Sequence, residues 1–347
     1  MPAGANVWIH DYQLFLLPQL LAGRVPGVKV GLSIHTPFDL GAVSRLPEAA
    51  ALAAGMSGAG CIGTQTAGDG VALRSFLASS AETLSPRVFT SPVSIDPASI
   101  RDLLDDRVTR TLHERERALL GERTLIVTVD RLDYTKGIME RMRAYDAAFA
   151  RGWLDPDEVR IVQITQPSRV DVAEYRSMRV AVERLAHELH ARWPRRDGSS
   201  PLEAIIESQD RRRIVSLLAS ADVCLVTPHR DGMNLVAKEF SILNEAHGGA
   251  LVITRGAGAA IELGEGSIVI DEASPLVIAD GLRTALALAP EVRRRLAAAR
   301  AAAVTAWTAA DWADSFVDQL SRPDDEHPAP RHAAGELPVD PELSSTT

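Results

Sequence analysis

At 347 residues, with 46% hydrophobic and 24% charged side chains, the chain is long enough and apolar enough for two domains with sizeable cores. Its formal net charge of −9 excludes a broad nucleic-acid-binding surface, so any phosphate recognition must be local, by a few arginines and a lysine. No stretch is apolar for long enough to span a bilayer, Met1-Pro2-Ala3-Gly4 lacks a charged n-region and an apolar h-region, and Cys61 and Cys224 lie in apolar patterns that suit core packing better than a disulfide.

Taken in order, the chain alternates strand and helix patterns. Strands are expected at 7–10, 28–35, 61–65 and 88–93, with helical stretches at 13–21, 42–54 and 67–78, which together make a first Rossmann-like unit over 1–106. After the crossing Ser94-Ile95-Asp96-Pro97, a second unit over 107–320 carries strands at 124–129, 160–165, 203–206, 223–227, 251–254 and 267–270, closed by helices at 296–309 and 310–320. Residues 321–347 hold too little apolar content to fold and read as a disordered tail. Alternation at these lengths means parallel sheets, whose ligands bind beyond the carboxyl ends of the strands. His10, His35, Arg131, Arg169 and Asp231 all follow strand patterns.

Two segments concentrate chemistry. An apolar run at 221–226 leads through Thr227-Pro228-His229-Arg230-Asp231-Gly232-Met233-Asn234 into a helix, so a strand end, a tight turn and a helix N-terminus coincide. Backbone N–H groups at Asn234, Leu235 and Val236 would offer partial positive charge, with Asp231 before them and Glu239 a turn later, a seat for an anion or a polyol. A solvated Arg230–Asp231 pair in an ordinary turn is the other reading. The second segment runs from the 124–129 strand into Asp130-Arg131-Leu132-Asp133-Tyr134-Thr135-Lys136-Gly137, where Arg131 and Lys136 could neutralise a phosphate leaving group or be surface charges on a loop.

Three further features carry less. His187-Glu188-Leu189-His190 is one residue short of a zinc-binding spacing and suits a solvated helix face; Arg211-Arg212-Arg213 suits a surface patch; the Gly256-Ala257-Gly258-Ala259-Ala260 turn is small enough for a backbone to approach a nucleotide.

In combination, Val7-Trp8-Ile9-His10-Asp11-Tyr12-Gln13-Leu14, Ile34-His35-Thr36-Pro37-Phe38, Arg131 to Ile138, Gln166-Pro167-Ser168-Arg169 and Arg230 to Glu239 resemble the trehalose-6-phosphate synthase family of retaining glycosyltransferases, over about 7–320. The resemblance implies an α/β fold of the GT-B type, with two Rossmann-like parallel-sheet domains facing across a cleft, and glucosyl transfer from UDP-glucose to glucose 6-phosphate. It implies that Arg131 and Lys136 grip the UDP diphosphate and that Asp231 accepts a donor-glucose hydroxyl. The backbone of Gly232, Met233, Asn234, Leu235 and Val236 would lie along sugar and phosphate, Glu239 would accept both ribose hydroxyls, and His35 would sit beside the transferred glucose. Asp11, Tyr12 and Arg169 resemble acceptor-site residues, Arg169 clamping the acceptor phosphate with its planar fork. Retention by front-face attack, with no metal and no cofactor, is part of the same implication. So are small-molecule substrates as the partners; the net charge and the lack of a leader or span are what point to no nucleic acid, no membrane and a cytoplasmic location, with a homo-oligomer left open.

This sequence departs from the family at several points. The family's opening strands and glycine-rich loop have no counterpart before Val7, so the first domain is expected to be incomplete and its sheet to leave an apolar edge or face uncovered. Thr36 and Asp39 stand where the family usually carries Ile and Pro, and Gly63-Thr64-Gln65-Thr66 where Phe usually precedes the Gln. These departures keep two alternatives in view: a related transferase with another sugar- or cyclitol-phosphate acceptor, and an inactive nucleotide-binding fragment.

Overall fold

The apolar runs become the strands of two parallel sheets in the computed structural model, which describes residues 5–79 and 85–322. The tail expected at 321–347 lies, beyond Arg322, outside the described residues. The first part of the chain holds β1 (Asn6–His10), α1 (Leu17–Ala22), β2 (Lys29–Ser33), α2 (Leu40–Val43), α3 (Ala49–Ser57), β3 (Cys61–Thr64), α4 (Ala67–Ala78), β4 (Arg87–Thr90), α5 (Pro97–Asp105) and α6 (Arg107–Leu120). There follow β5 (Thr124–Arg131), α7 (Ile138–Ala150), β6 (Val159–Gln166), α8 (Ala173–Arg192), β7 (Leu202–Ile205), α9 (Arg211–Ser220) and β8 (Val223–Val226). The chain then continues through α10 (Leu235–Leu243), β9 (Ala250–Thr254), α11 (Ala259–Leu263), β10 (Ile268–Ile270), α12 (Pro275–Leu286), α13 (Pro290–Thr305) and α14 (Ala309–Ser321).

The four-stranded sheet has the order β1-β2-β3-β4 and the six-stranded sheet the order β10-β9-β8-β5-β6-β7. In the second sheet the direction of winding reverses between β5 and β8. This is the switch point at which an open α/β sheet leaves a crevice for ligand, and β5 and β8 are the strands that lead into the two chemistry-bearing segments.

Both faces of the second sheet are covered, as parallel pairing requires. Along β5, Leu125, Val127 and Val129 face one apolar layer while Ile126 faces the other, which it shares with Ile161, Val223 and Val252. Side chains of this kind stabilise by about 1.5–3 kcal/mol each when fully buried, so the two-sided core holds the strand ends in fixed positions.

Two helices are shorter than the sequence pattern predicts. Residues 42–54 form α2 and α3 separately, with Pro47 between them, and 13–21 begin as a 3-10 turn over Tyr12–Leu14 before α1. Proline cannot donate to a continuing helix, so Pro47 breaks the run and Pro18 instead opens one.

The chain crosses between the sheets at both ends of the second unit. Helix α5 lays Ile100 into the apolar layer formed by α9 and α10. At the other end α14 returns to the first sheet, where Phe316 is fully buried and stacks on Trp8 with centroids 4.2 Å apart. Gly31 of β2 permits this: a Cβ there would lie 2.6 Å from the Phe316 ring. Lys29 Nζ also donates to Ser321 O at 2.8 Å, so one face of the first sheet is covered by the last helix.

Candidate active site

The carboxyl ends of both sheets meet along one seam. Its centre is Gly232, where an added Cβ would stand 1.9 Å from the backbone oxygen of His35, at the end of β2. Only glycine lets the segment after β8 press so closely on the first sheet. Behind it, Gly258 is equally tight against Gly232 O (1.9 Å), Asp231 N donates to Gly256 O at 2.9 Å, and Gly258 N donates to Asp231 O at 3.1 Å. The 256–260 turn therefore buttresses the Asp231 segment, and the backbone its small residues admit is the protein's own.

Asp231 and Lys136 come together from different strands. Lys136 Nζ lies 2.6 Å from Asp231 Oδ2, and Asn234 Nδ2 donates to the same oxygen at 3.0 Å. Lys136 is held by its turn: Asp133 caps Tyr134–Lys136 through Thr135 N at 3.0 Å, and Gly137 then takes φ 63, where a Cβ would meet Thr227 O at 2.2 Å. Arg230 does not pair with Asp231. It reaches across the seam to Asp39 Oδ2 at 2.8 Å and Phe38 O at 3.0 Å.

Asn234 caps α10 with φ 89, accepting Ala237 N at 3.0 Å, so the N–H groups ahead of Ala237 are those left at the helix mouth. Met233 turns its side chain into the core, so only its backbone faces the seam, whereas Leu235 is partly exposed. Arg131, at the tip of β5, is exposed, and no ion pair engages it among the described residues. Beneath these groups, fully buried Arg141 donates to Asp130 (2.6 Å) and Thr227 (3.1 Å) and ties the ends of β5 and β8 together.

Glu239 is buried on α10, and Arg211 forks onto both of its oxygens at 2.8 and 2.6 Å. The run at 211–213 stays partly at the surface, but its arginines are all paired, since Arg212 meets Asp106 and Arg213 meets Glu116 and Glu203. A carboxylate has about four lone-pair directions, so Glu239 can hold Arg211 and still accept from a diol.

Beyond β6, on the second sheet's side of the seam, Arg169 has φ 47, a left-handed conformation that an arginine adopts only when its surroundings impose it. Its guanidinium donates to Tyr12 OH at 2.6 Å and Tyr175 OH at 2.9 Å, and Tyr175 donates to Asp133 at 3.2 Å. Burial pushes the Asp133 carboxyl up, but hydrogen bonds from Thr135 and Tyr175 outweigh this and hold it below the usual carboxylate range. Asp11 also carries a positive φ, 68, and accepts His35 N at 3.2 Å and Thr36 Oγ1 at 3.4 Å. Two of the predicted acceptor residues therefore share with Asn234 a positive φ.

His35 and His10 stack 5.3 Å apart, with His10 Nδ1 3.0 Å from His35 Nε2. Burial lowers both pKa values, against the opposing field of Asp11, so the imidazoles are neutral near pH 7. Trp312 of α14 completes the wall with its ring 6.0 Å from His35. Sequence reasoning missed His10 as a partner of His35, and it missed Tyr175, Arg211 and Trp312. His10 left a trace in its place at a strand end, Arg211 in its basic run, and Trp312 in falling four residues before Phe316 on one helix face. The near-miss zinc spacing lies on α8, where His187 Nδ1 pairs with Glu183 O at 2.8 Å.

Asp39, where the family usually carries Pro, spends its carboxylate on Arg230 and on Ala42 N at 2.9 Å, the cap of α2. Among the described residues no helix is long and apolar enough to cross a membrane.

Comparison with known proteins adds the following. The profile of Glycosyltransferase family 20 matches residues 1–322. A trehalose-6-phosphate synthase of Mycolicibacterium vanbaalenii is 34% identical over 340 residues, which cover 92% of this chain and 69% of that protein. Among solved structures, the UDP-forming α,α-trehalose-phosphate synthase of Burkholderia xenovorans in complex with glucose-6-phosphate superimposes with a TM-score of 0.85 at 27% identity, covering 92% of this chain and 74% of that one. The trehalose-6-phosphate protein of E. coli bound with UDP-2-fluoro glucose superimposes with a TM-score of 0.87 at 27% identity, over 95% and 75% of the two chains.

Proposed function

The chain belongs to glycosyltransferase family 20, and from that premise we propose that it transfers glucose from UDP-glucose to glucose 6-phosphate, releasing UDP and forming trehalose 6-phosphate. The observation that carries this reading is the apposition at the seam. The Lys136–Asp231–Asn234 cluster at the mouth of α10 stands on one side, the Asp11 and His35 loops stand on the other, and the Arg169–Tyr12 contact spans the two.

In this reading UDP lies over the carboxyl ends of β5 and β8. Arg131 and the α10 mouth stabilise charge on the departing diphosphate, Lys136 adds its ammonium, and Glu239 holds the ribose. Asp231, already oriented by Lys136 and Asn234, accepts a hydroxyl of the donor glucose. Arg169 exchanges its tyrosine hydroxyls for the phosphate of the acceptor sugar, a better partner for a planar cationic fork. Neutral His35 can hydrogen-bond a sugar without adding charge where an oxocarbenium develops. Asp231 is tied by two donors, so the two-carboxylate scheme of retaining hydrolases is not needed; front-face attack, with orientation and leaving-group electrostatics supplying the rate, fits these residues.

Incubation with UDP-glucose and a panel of sugar and cyclitol phosphates tests the proposal. UDP release with trehalose 6-phosphate as the product, selective for glucose 6-phosphate, is expected. Selective turnover with another acceptor would overturn the acceptor assignment, and no UDP release with any of them would overturn the activity.

A further inference from the structure

A second basic pocket lies at the opposite end of the second sheet. It has a volume of about 350 Å³ and is lined by Arg123, Arg160, Arg195 and Arg213, with Glu116 and Glu203, at the amino ends of β6 and β7. Arg160 lies six residues before Gln166 on β6, so at about 3.3 Å per residue the pocket is roughly 20 Å from the strand's carboxyl end and from the cleft.

The charges within it divide into two sets. Arg160 and Arg213 both bind both glutamates, Arg160 at 2.6 and 2.9 Å and Arg213 at 3.3 and 2.8 Å, a closed and neutral four-member network. Arg123 and Arg195 are outside it. Arg123 donates to the carbonyls of Leu119 and Leu120 at the end of α6, and Arg195 donates to Pro156 O, Val159 O and Ser199 Oγ at 3.1, 2.8 and 3.1 Å. Neutral acceptors thus hold two guanidiniums in place without cancelling their charge. Two further carboxylates act on Arg195 by their charge without an ion pair to it: Asp157 pairs with Arg196 at 3.0 Å, and exposed Asp197 accepts Ser199 N at 2.8 Å. Burial, with the neighbouring charges of Arg123 and Arg160, lowers the pKa of Arg195 against the opposing fields of Asp197 and Asp157.

We propose that this pocket is an anion site for a phosphate or a phosphomonoester, separate from the cleft. A planar guanidinium fork suits phosphate oxygens, and the volume falls in the range of small-ligand sites. The site does not depend on the transferase reading, because none of its residues takes part in that reading.

Calorimetric titration of the full chain carrying Arg169→Ala, with inorganic phosphate in one arm and glycerol 3-phosphate in the other, tests the proposal. Removing Arg169 takes away the cleft's acceptor-phosphate clamp, saturating UDP in every titration fills its diphosphate seat, and comparing the arms separates an ion site from an ester site. The same titrations are made with Leu119→Glu or Arg123→Gln added. Leu119 lines the pocket and is 61% exposed, so its replacement adds a competing carboxylate without removing a buried contact, and an unchanged melting temperature confirms the fold. One binding event per chain, weakened tenfold or more by either added substitution, is the expected result. Absence of binding in both arms, or binding that Leu119→Glu leaves unchanged, would overturn the proposal.

Discussion

Replacing Gly232 with alanine should disable the cleft while leaving both sheets folded. A Cβ at this position would stand 1.9 Å from the His35 carbonyl oxygen, a distance that no Cβ contact tolerates, and the obstacle is backbone and cannot rotate away. Behind Gly232 there is no room to retreat, since Gly258 already presses on its carbonyl. The segment must therefore lift from β2 by at least about 1 Å, carrying with it the Asp231 carboxylate and the backbone that faces the donor. Misplacement on that scale costs roughly 100-fold in rate, equivalent to about 2.7 kcal/mol of transition-state stabilisation. The assay is UDP release at saturating glucose 6-phosphate, paired with calorimetry of UDP-glucose binding, on Gly232→Ala and on Gly68→Ala as control. Gly68 has only the Thr66 hydroxyl near, at 3.7 Å, so its variant should behave as the parent. If Gly232→Ala is folded and stays within threefold of the parent in both measurements, the seam does not position the donor segment and the argument is wrong.

Arg131→Ala should weaken UDP binding tenfold or more, because a charged hydrogen bond to a diphosphate contributes about 1.5–3 kcal/mol; unchanged calorimetric affinity would remove Arg131 from the site. Arg169→Ala should raise the apparent KM for glucose 6-phosphate far more than that for UDP-glucose, with Arg169→Lys recovering only part. Equal effects on both substrates would make Arg169 a structural tie between Tyr12 and Tyr175. The histidine pair sets a pH dependence: both folded pKa values lie below the ordinary value of about 6.5, so the unfolded chain takes up protons first as pH falls. Stability from this pair is complete above pH 6.5 and is lost as pH drops toward the folded values. Urea melts at pH 7.5 and 5.5 should show a smaller loss in His35→Gln than in the parent, and an equal loss in both would show that the pair is not the source.

The alternation of strand and helix, the parallel sheets and the residues that end the strands were all legible in the sequence, because apolar period and turn chemistry act over a few neighbouring residues. The motif at 230–239 announced a helix mouth, and it is there, closed by a cap that the structure adds, since Asn234 makes its own capping bond three residues on. Partner choice was not legible. Arg230 lies beside Asp231 in sequence yet pairs with Asp39, 191 positions away, while Asp231 pairs with Lys136, 95 away. Arg211 looked like a solvated charge until α9 and α10 came side by side and gave it Glu239. The return of α14 to the first sheet, with Trp312 beside His35, depended on a glycine in β2 that leaves space for Phe316. Charges are long-range and undirected along the chain, so the sequence specifies which groups carry charge, whereas only packing brings two of them within 3 Å and shields them from water.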